Sequence, residues 1–247
     1  MTLLCGPDAA EYGFLEFKPT RVSENLSSPA TGFLGPYCVL VIIHLDLSRT
    51  IVPFIRMARV KEFDENEVLD QAIELFWTRG YAHTSFSDLV DVLGVSRQSL
   101  YDTYGDKHAL FQTALKRYMD RAVGGVQRML ESRGPIREVL QELLDVLITG
   151  ASEGASGCFM VNSMIELTPH DADTRTLAHA YARKVENLIA SRLSAAQRKG
   201  ELSRSKDPVI LARFFFQTIL GIGVASRALG EPENLKRSTR IALEALG

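Results

Sequence analysis

The sequence predicts an all-α fold in two parts, a three-helix helix-turn-helix unit followed by a larger helical domain. Three observations lead there. Apolar residues recur at helical spacing from Phe63 to the C-terminus; Ser, Asp and Gly punctuate that pattern where helices would begin and end; and two short helical segments meet at a tight turn containing Gly94. The 247 residues are 46% hydrophobic and 23% charged, which suits a globular chain with a sizeable core rather than a disordered one. The expected divisions are residues 1–56, 57–115 and 116–247.

Residues 1–56 stand apart from the rest. They scatter Gly, Pro and Ser without a helical period, and their one apolar stretch, Tyr37 to Leu47, is shorter than the roughly 20 residues that a membrane-spanning helix needs. Acidic Asp8, Glu11 and Glu16 precede it, where a secretory leader would be basic. Internal Met57 opens Met-Ala-Arg-Val-Lys-Glu-Phe-Asp64, which reads as a natural start running straight into a capped helix. Translation is therefore expected to begin at Met57, leaving residues 1–56 as a non-native or disordered extension; the rival reading is a flexible arm or a weakly membrane-contacting β segment. Cys5, Cys38 and Cys158 are too few and too scattered for a disulfide framework or a metal knuckle, so a reducing cytoplasm is expected, with no structural metal, no cofactor and no membrane partner. The net charge of -2 argues against a chain coated in nucleic acid but allows a local basic face.

The first helix is expected to start at Asp64, with Glu67 as the reciprocal cap and Phe63 stapled onto Val68. Val68, Leu69, Ala72, Ile73, Leu75 and Phe76 then form one apolar stripe, and Gly80 ends the helix. Ser85 caps a second helix with Asp88 at its third position, placing Phe86, Leu89, Val90 and Leu93 inward before Gly94 stops it. Ser96 restarts the chain into a third helix, Arg97 to Tyr104, with only Leu100 and Tyr104 on its buried side. Gly105 breaks it, and Asp106 caps a long helix striped by Ala109, Leu110, Ala114, Leu115, Tyr118, Met119, Ala122 and Val126.

A third helix this short needs packing to hold it, and its polar face is left for a partner. Duplex DNA fits, because base readout needs side chains near a helix N-terminus while hydroxyls, amides and cations grip phosphate. Arg97, Gln98, Ser99, Tyr101 and Lys107 supply those groups. With these residues in view, the stretch from Ala72 to Leu115 resembles the DNA-binding domain of TetR/AcrR-family regulators. The matching pieces are Ala72-Ile-Glu-Leu-Phe76, Arg79-Gly-Tyr81, Thr84-Ser-Phe-Ser-Asp-Leu89, Leu93-Gly-Val-Ser96, Leu100-Tyr101 and Asp106-Lys-His-Ala-Leu-Phe111. The resemblance implies nine helices in all and a transcriptional regulator, a repressor released from a palindromic double-stranded operator by an unknown small-molecule effector. It places Ser85 and Ser87 near phosphates, Arg97, Gln98, Ser99 and Thr103 toward bases or the groove edge, and Tyr101 and Lys107 on backbone phosphate. Asp102 and Asp106 depart from this picture, since a carboxylate beside DNA repels phosphate unless it is solvated or paired.

Beyond about Arg121 the sequence is helical, with breaks at Gly134-Pro135, Gly150 to Gly157, Thr168-Pro169, Gly200 to Pro208 and Gly230 to Pro232, giving five helical segments after the long one. Val209 to Ala225 is apolar nearly all round, including Phe214-Phe-Phe216, Ile219, Leu220, Ile222 and Val224, so it must be buried on two faces. Together with the amphipathic segment from Glu233 to Leu246 it is expected to form half of an isologous four-helix interface, a homodimer through the last two helices. A dimer would hold two third helices roughly 34–36 Å apart, matching palindromic half-sites.

The segment from Gly157 to Asp171 resembles a Gly-Cys helix start in one branch of such sensors. The expected effector site is an apolar cavity with a few polar anchors, for which Cys158, Phe159, Asn162, Ser163, Glu166, Tyr181 and Phe215 are candidates. Cys158 at a helix N-terminus leaves open a redox- or electrophile-sensing regulator. A soft-metal reading of Cys158, Met160, Met164 and His170 is poorly served by their spacing, which points Cys158 and Met160 to different helix faces. The enzyme alternative is weaker still. Gly221-Ile-Gly-Val-Ala-Ser-Arg-Ala-Leu-Gly230 sits in a helical run with no strand ahead of it, unlike a dinucleotide loop, and Glu166, His170 and Asp171 complete no catalytic set.

Overall fold

A computed structural model of the chain describes residues 63–152 and 157–247, and the expectations for residues 1–56, including a start at Met57, lie outside the described residues. Among the described residues the chain forms nine α-helices and a closing 3-10 turn: α1 Glu65–Arg79, α2 Phe86–Leu93, α3 Arg97–Tyr104, α4 Lys107–Leu130, α5 Ile136–Ser152, α6 Phe159–Leu167, α7 Ala172–Lys199, α8 Pro208–Leu229 and α9 Pro232–Ala242. The fold is all-α, with the helix-turn-helix unit first and the five later helices where the Gly and Pro breaks put them.

Local chemistry explains the boundaries. Asp64 caps α1 by accepting from Asn66 N at 2.8 Å, whereas α2 begins with the full reciprocal box, Ser85 accepting from Asp88 N while Asp88 accepts from Ser85 N. Gly94 ends α2 in the left-handed region at φ 63, a conformation with little penalty only for glycine, and so frees the chain to turn into α3. Asp106, Asp171 and Asp207 cap α4, α7 and α8 in the same manner, each placing a carboxylate at the positive end of a helix.

The first unit packs Ala72, Ile73 and Phe76 of α1 against Leu89, Leu100, Leu110 and Phe111, all at most 1% exposed. On the outer side of the α1–α4 pair, Asp70 receives Arg117 Nε at 2.7 Å and Arg121 Nη1 at 2.7 Å. Partial burial pushes the Asp70 carboxyl up, but the two guanidiniums outweigh it and hold the group below its ordinary range. Behind this unit, α7 runs against α4 and α8, burying Ala178, Tyr181, Val185, Ile189, Leu193 and Ala196 at helical spacing.

Helix α8 buries Leu211, Ala212, Phe215, Phe216 and Ile222 but leaves Val209, Ile210, Phe214, Val224 and Leu229 between 40% and 67% exposed. It is the one helix among the described residues long and apolar enough to cross a membrane, yet 44% of that span is buried against its neighbours. Gly221 and Gly223 both lie inside this helix, so they form no dinucleotide loop.

Candidate nucleic-acid interface

Helix α3 is anchored by one apolar side chain and one phenol. Leu100 is fully buried, and the half-buried Tyr104 donates its hydroxyl to Glu65 O at 3.3 Å. Burial and the nearby Glu65 carboxylate push the Tyr104 phenol up to about 12, so it stays a neutral donor. Ser96 caps the helix by accepting from Ser99 N at 3.1 Å and also bonds the Ser99 hydroxyl at 2.8 Å. This fixes the first turn of α3 while Arg97, Gln98, Tyr101 and Asp102 remain exposed and Ser99 and Thr103 are half-buried.

The exposed face is built on a residue expected to point into the core. Phe86 is only half-buried, and its ring stacks on Tyr101 at 4.4 Å with an interplanar angle of 13°. The Arg97 guanidinium lies 5.1 Å from the same ring and donates to Ser87 Oγ at 3.0 Å. Phe86 thus orients a planar cation and a phenol side by side at the junction of α2 and α3. Ser85 is exposed with its hydroxyl engaged in the α2 cap.

Both acids that looked out of place have local partners. Asp102 accepts from Gln98 Nε2 at 2.7 Å one helical turn away, and Asp106 accepts from Ala109 N at 2.8 Å as the α4 cap. Lys107 is not a free surface cation. It is half-buried with Nζ 4.0 Å from the Tyr81 ring centroid, and burial lowers its pKa.

The seven residues suggested for an effector site do not form one cavity wall. Phe159, 1% exposed, sets its ring edge-on to Phe111 and Tyr118 and lies 6.5 Å from Trp77, so it packs between α1, α4 and α6. Ser163 is buried and donates to Phe159 O at 2.8 Å within its own helix, and Phe215 is fully buried core. Asn162 is half-buried. Half-buried Glu166 turns instead to the helix-turn-helix unit: its carboxylate accepts from Tyr81 N at 3.1 Å and Ala82 N at 2.7 Å in the turn between α1 and α2.

Cys158 and Tyr181 do share a site, joined by Tyr118, which the sequence reading had assigned only to the α4 stripe. The Cys158 thiol lies 3.5 Å from the Tyr118 hydroxyl, and burial pushes the phenols of Tyr118 and Tyr181 well above their ordinary range, with Cys158 adding to both shifts. Two neutral phenols and a thiol therefore stand among Phe159, Phe216 and Trp77. A solvent-open groove of about 480 Å³ lies elsewhere, between the end of α4 and α7, where Gln127, Glu131, Arg133, Arg192 and Lys199 line it and none of the seven does.

The sequence reading also missed the α4–α7 joint. His108 Nε2 lies 2.8 Å from Asp171 Oδ2, and Gln112 donates to both Asp171 and Thr174. His108, Asp171 and Asp173 are close enough to suggest a cation site, but the Asp171 oxygens are already taken by Thr174, Gln112, the backbone N–H of Asp173 and this histidine contact. Nothing in their spacing, 63 residues apart for His108 and Asp171, signals the pairing.

With this geometry in place, comparison with known proteins is specific. Residues 68–114 match the family described as bacterial regulatory proteins, tetR family, and residues 135–242 match the tetracyclin repressor-like C-terminal domain. The HTH-type transcriptional regulator YezE of Bacillus subtilis (strain 168) is 34% identical over 193 residues, spanning 77% of this chain and 100% of that protein. The HTH-type transcriptional repressor ComR of Escherichia coli (strain K12) is 31% identical over 189 residues, 74% of this chain and 88% of its own. Among solved structures, a cysteine mutant of the TetR family transcriptional regulator CifR, complexed with 26 bp double-strand operator DNA, aligns with a TM-score of 0.70 at 27% identity, covering 76% of this chain and 100% of that one.

Proposed function

Because this chain belongs to the TetR family of DNA-binding transcriptional regulators, which are not enzymes, we propose that it is a cytoplasmic repressor that grips a palindromic operator as a homodimer and is released by a small-molecule ligand. The observation that carries the DNA contact is the Arg97–Phe86–Tyr101 platform: a guanidinium and a phenol held side by side on an exposed helix face. Arg97 is suited to bidentate contact with a guanine edge, and Tyr101, Ser85 and Ser87 to phosphate. Gln98, Ser99 and Thr103 flank Arg97 on the groove side, and Lys107 contributes charge from the start of α4.

The homodimer is supported by the apolar stripe that α8 leaves uncovered. Ile210, Phe214 and Val224, with exposed Gln217 and Gly221 between them, recur at alternating spacings of four and three and so share one face, and α9, which packs on α8, leaves Ile241 exposed. A stripe of this kind covered by a second copy explains why α8 is apolar on both sides.

The Tyr118, Cys158 and Tyr181 cluster is the best-supported anchor for an effector, since two phenols and a thiol enclosed by aromatic rings suit a small, mostly apolar molecule with one or two polar atoms. Ligand that prefers the released conformer by about 5.5 kcal/mol would shift the population ten-thousandfold. The test is to select duplexes from a random pool with the full chain, then measure their release across compounds that raise its thermal midpoint. Release by at least one such compound is expected; a protein that binds compounds and operator independently would defeat the effector half of the proposal.

A further inference from the structure

The carboxylate of Glu166 sits in the last turn of α6 yet belongs, by its bonds, to the helix-turn-helix unit. Two consecutive backbone N–H groups, of Tyr81 and Ala82, converge on it at 3.1 and 2.7 Å across sequence separations of 85 and 84 residues. Such charge-assisted bonds are directional and stronger than neutral ones, and paired N–H groups in a turn form a small anion cradle. Gly80 makes the approach possible. It stands at φ 83, and a Cβ there would lie 3.2 Å from Glu166 Oε2. The cradle is braced from the other side, because the Tyr81 ring meets Phe111 at 4.9 Å and carries Lys107 Nζ at 4.0 Å.

We propose that Glu166 is the positioning residue through which α6 fixes the orientation of the DNA-reading helices, and that its loss unlocks half-site spacing without removing DNA binding. The proposal deepens the operator-binding reading and rests on it. Helix α6 is short and rigid: Cys158 at its start and Glu166 near its end are separated by about 12 Å of helix at 1.5 Å per residue. Phe159 buries the first turn between Phe111, Tyr118 and Trp77, so a shift of α6 at the Cys158 end moves a stiff rod whose other end grips the α1–α2 turn. That turn leads directly into Ser85 and Phe86, and so into the platform under Arg97 and Tyr101.

Glu166 makes its bonds to the α1–α2 turn and not to α3, and of the DNA-facing residues it is Lys107 that feels its charge. Truncation at 166 should leave α3 folded on Leu100 while relaxing how the two copies of the unit are held in a dimer. Glu166→Gln keeps the side-chain size but offers one acceptor where two donors point, so it should be intermediate between the wild type and Glu166→Ala.

The experiment uses the full chain, a duplex selected from a random pool by the wild-type protein, and copies of that duplex with the half-sites moved by one base pair in either direction. In the wild type, displaced spacing should weaken binding at least tenfold. In Glu166→Ala this discrimination should fall to within about threefold, Glu166→Gln should lie between, and hydrogen exchange in the segment 77–85 should quicken in the free protein. A uniform loss of affinity with wild-type spacing discrimination would overturn the proposal, as would unchanged exchange in that segment. A wild-type protein that selects no duplex at all would instead overturn the operator-binding reading beneath it, and with it this role for Glu166.

Discussion

Gly223 of α8 has no side chain where Cys158 of α6 arrives: a Cβ built on it would lie 3.0 Å from Cys158 Cβ and 2.9 Å from Val161 Cγ2. The contact is reciprocal, because a Cβ on Gly157 would lie 2.8 Å from Gly223 O and 2.8 Å from Arg227 Cβ. Helix α6 thus begins in a groove that only two glycines leave open. The nearest groups are main chain and branched or first side-chain carbons, which cannot swing away. Gly223→Ala should therefore overpack the joint and destabilise the chain by about 1–3 kcal/mol. Gly150→Ala in α5, with nothing within 4 Å of the added carbon, is the control and should cost no packing. Chemical denaturation of the two variants checks the contrast, and equal losses would remove the assigned role of the Gly157–Gly223 contact.

Arg97 and Lys107 separate readout from positioning. Arg97→Ala removes the cation from the Phe86 platform without opening the core, since the residue is exposed. It should lower affinity for the selected duplex by about 1–3 kcal/mol and relax the preference at one base position. Lys107→Ala should weaken all duplexes alike and reduce the salt slope by about one, if its ammonium reaches phosphate from its seat on Tyr81. Fluorescence anisotropy over a salt series reads both. An Arg97 variant that keeps full sequence preference would exclude it from base contact.

Periodicity and caps made the helices legible because those signals are local. Val68, Leu69, Ala72, Ile73, Leu75 and Phe76 are buried as their spacing demanded, and Asp106, Gly94 and Ser85 end or start helices through bonds to residues at most four positions away. The inter-domain joint was not legible for the opposite reason. Glu166 reads as a polar anchor on an apolar helix, and nothing near it in sequence announces donors 84 and 85 residues earlier. Phe86 misled differently. Its apolar character said core, yet a ring at the rim can serve both the core below and the stacked Tyr101 and Arg97 above. The cluster of Tyr118 with Cys158 was hidden in a stripe where an aromatic residue is ordinarily packing.

The exposed stripe on α8 gives a prediction for assembly. Phe214 is 40% exposed, so a charge there meets water in the protomer but would be stranded inside an interface. Phe214→Glu should leave helicity unchanged, convert the protein to monomer in light scattering, and cut affinity for a palindromic duplex at least tenfold while sparing weak binding to a single half-site. A dimer that persists in this variant would move the interface away from the centre of α8.

Asp171 ties the start of α7 to α4, and its charge state gives the pH dependence a definite sign. Burial raises its carboxyl, but hydrogen bonds from Thr174 and His108 and from the backbone N–H groups of Thr174 and Asp173 outweigh this and hold it at about 2, against 3.8 for the free group. Protons therefore bind the unfolded chain more readily than the folded one. The stability this contributes is fully present above about pH 4 and is lost as pH falls through about 2. With its side chain 16% exposed, a contribution on the order of 1–2 kcal/mol remains after solvent screening. Asp171→Asn keeps a competent helix cap and removes the charge. The variant should be less stable than wild type at pH 7, and the gap in urea denaturation should narrow only below pH 4. The deciding interval is pH 4 to 2, between the unfolded and folded values of this carboxyl: a difference that does not shrink there would mean that the ionised carboxylate is not what fastens α7 to α4.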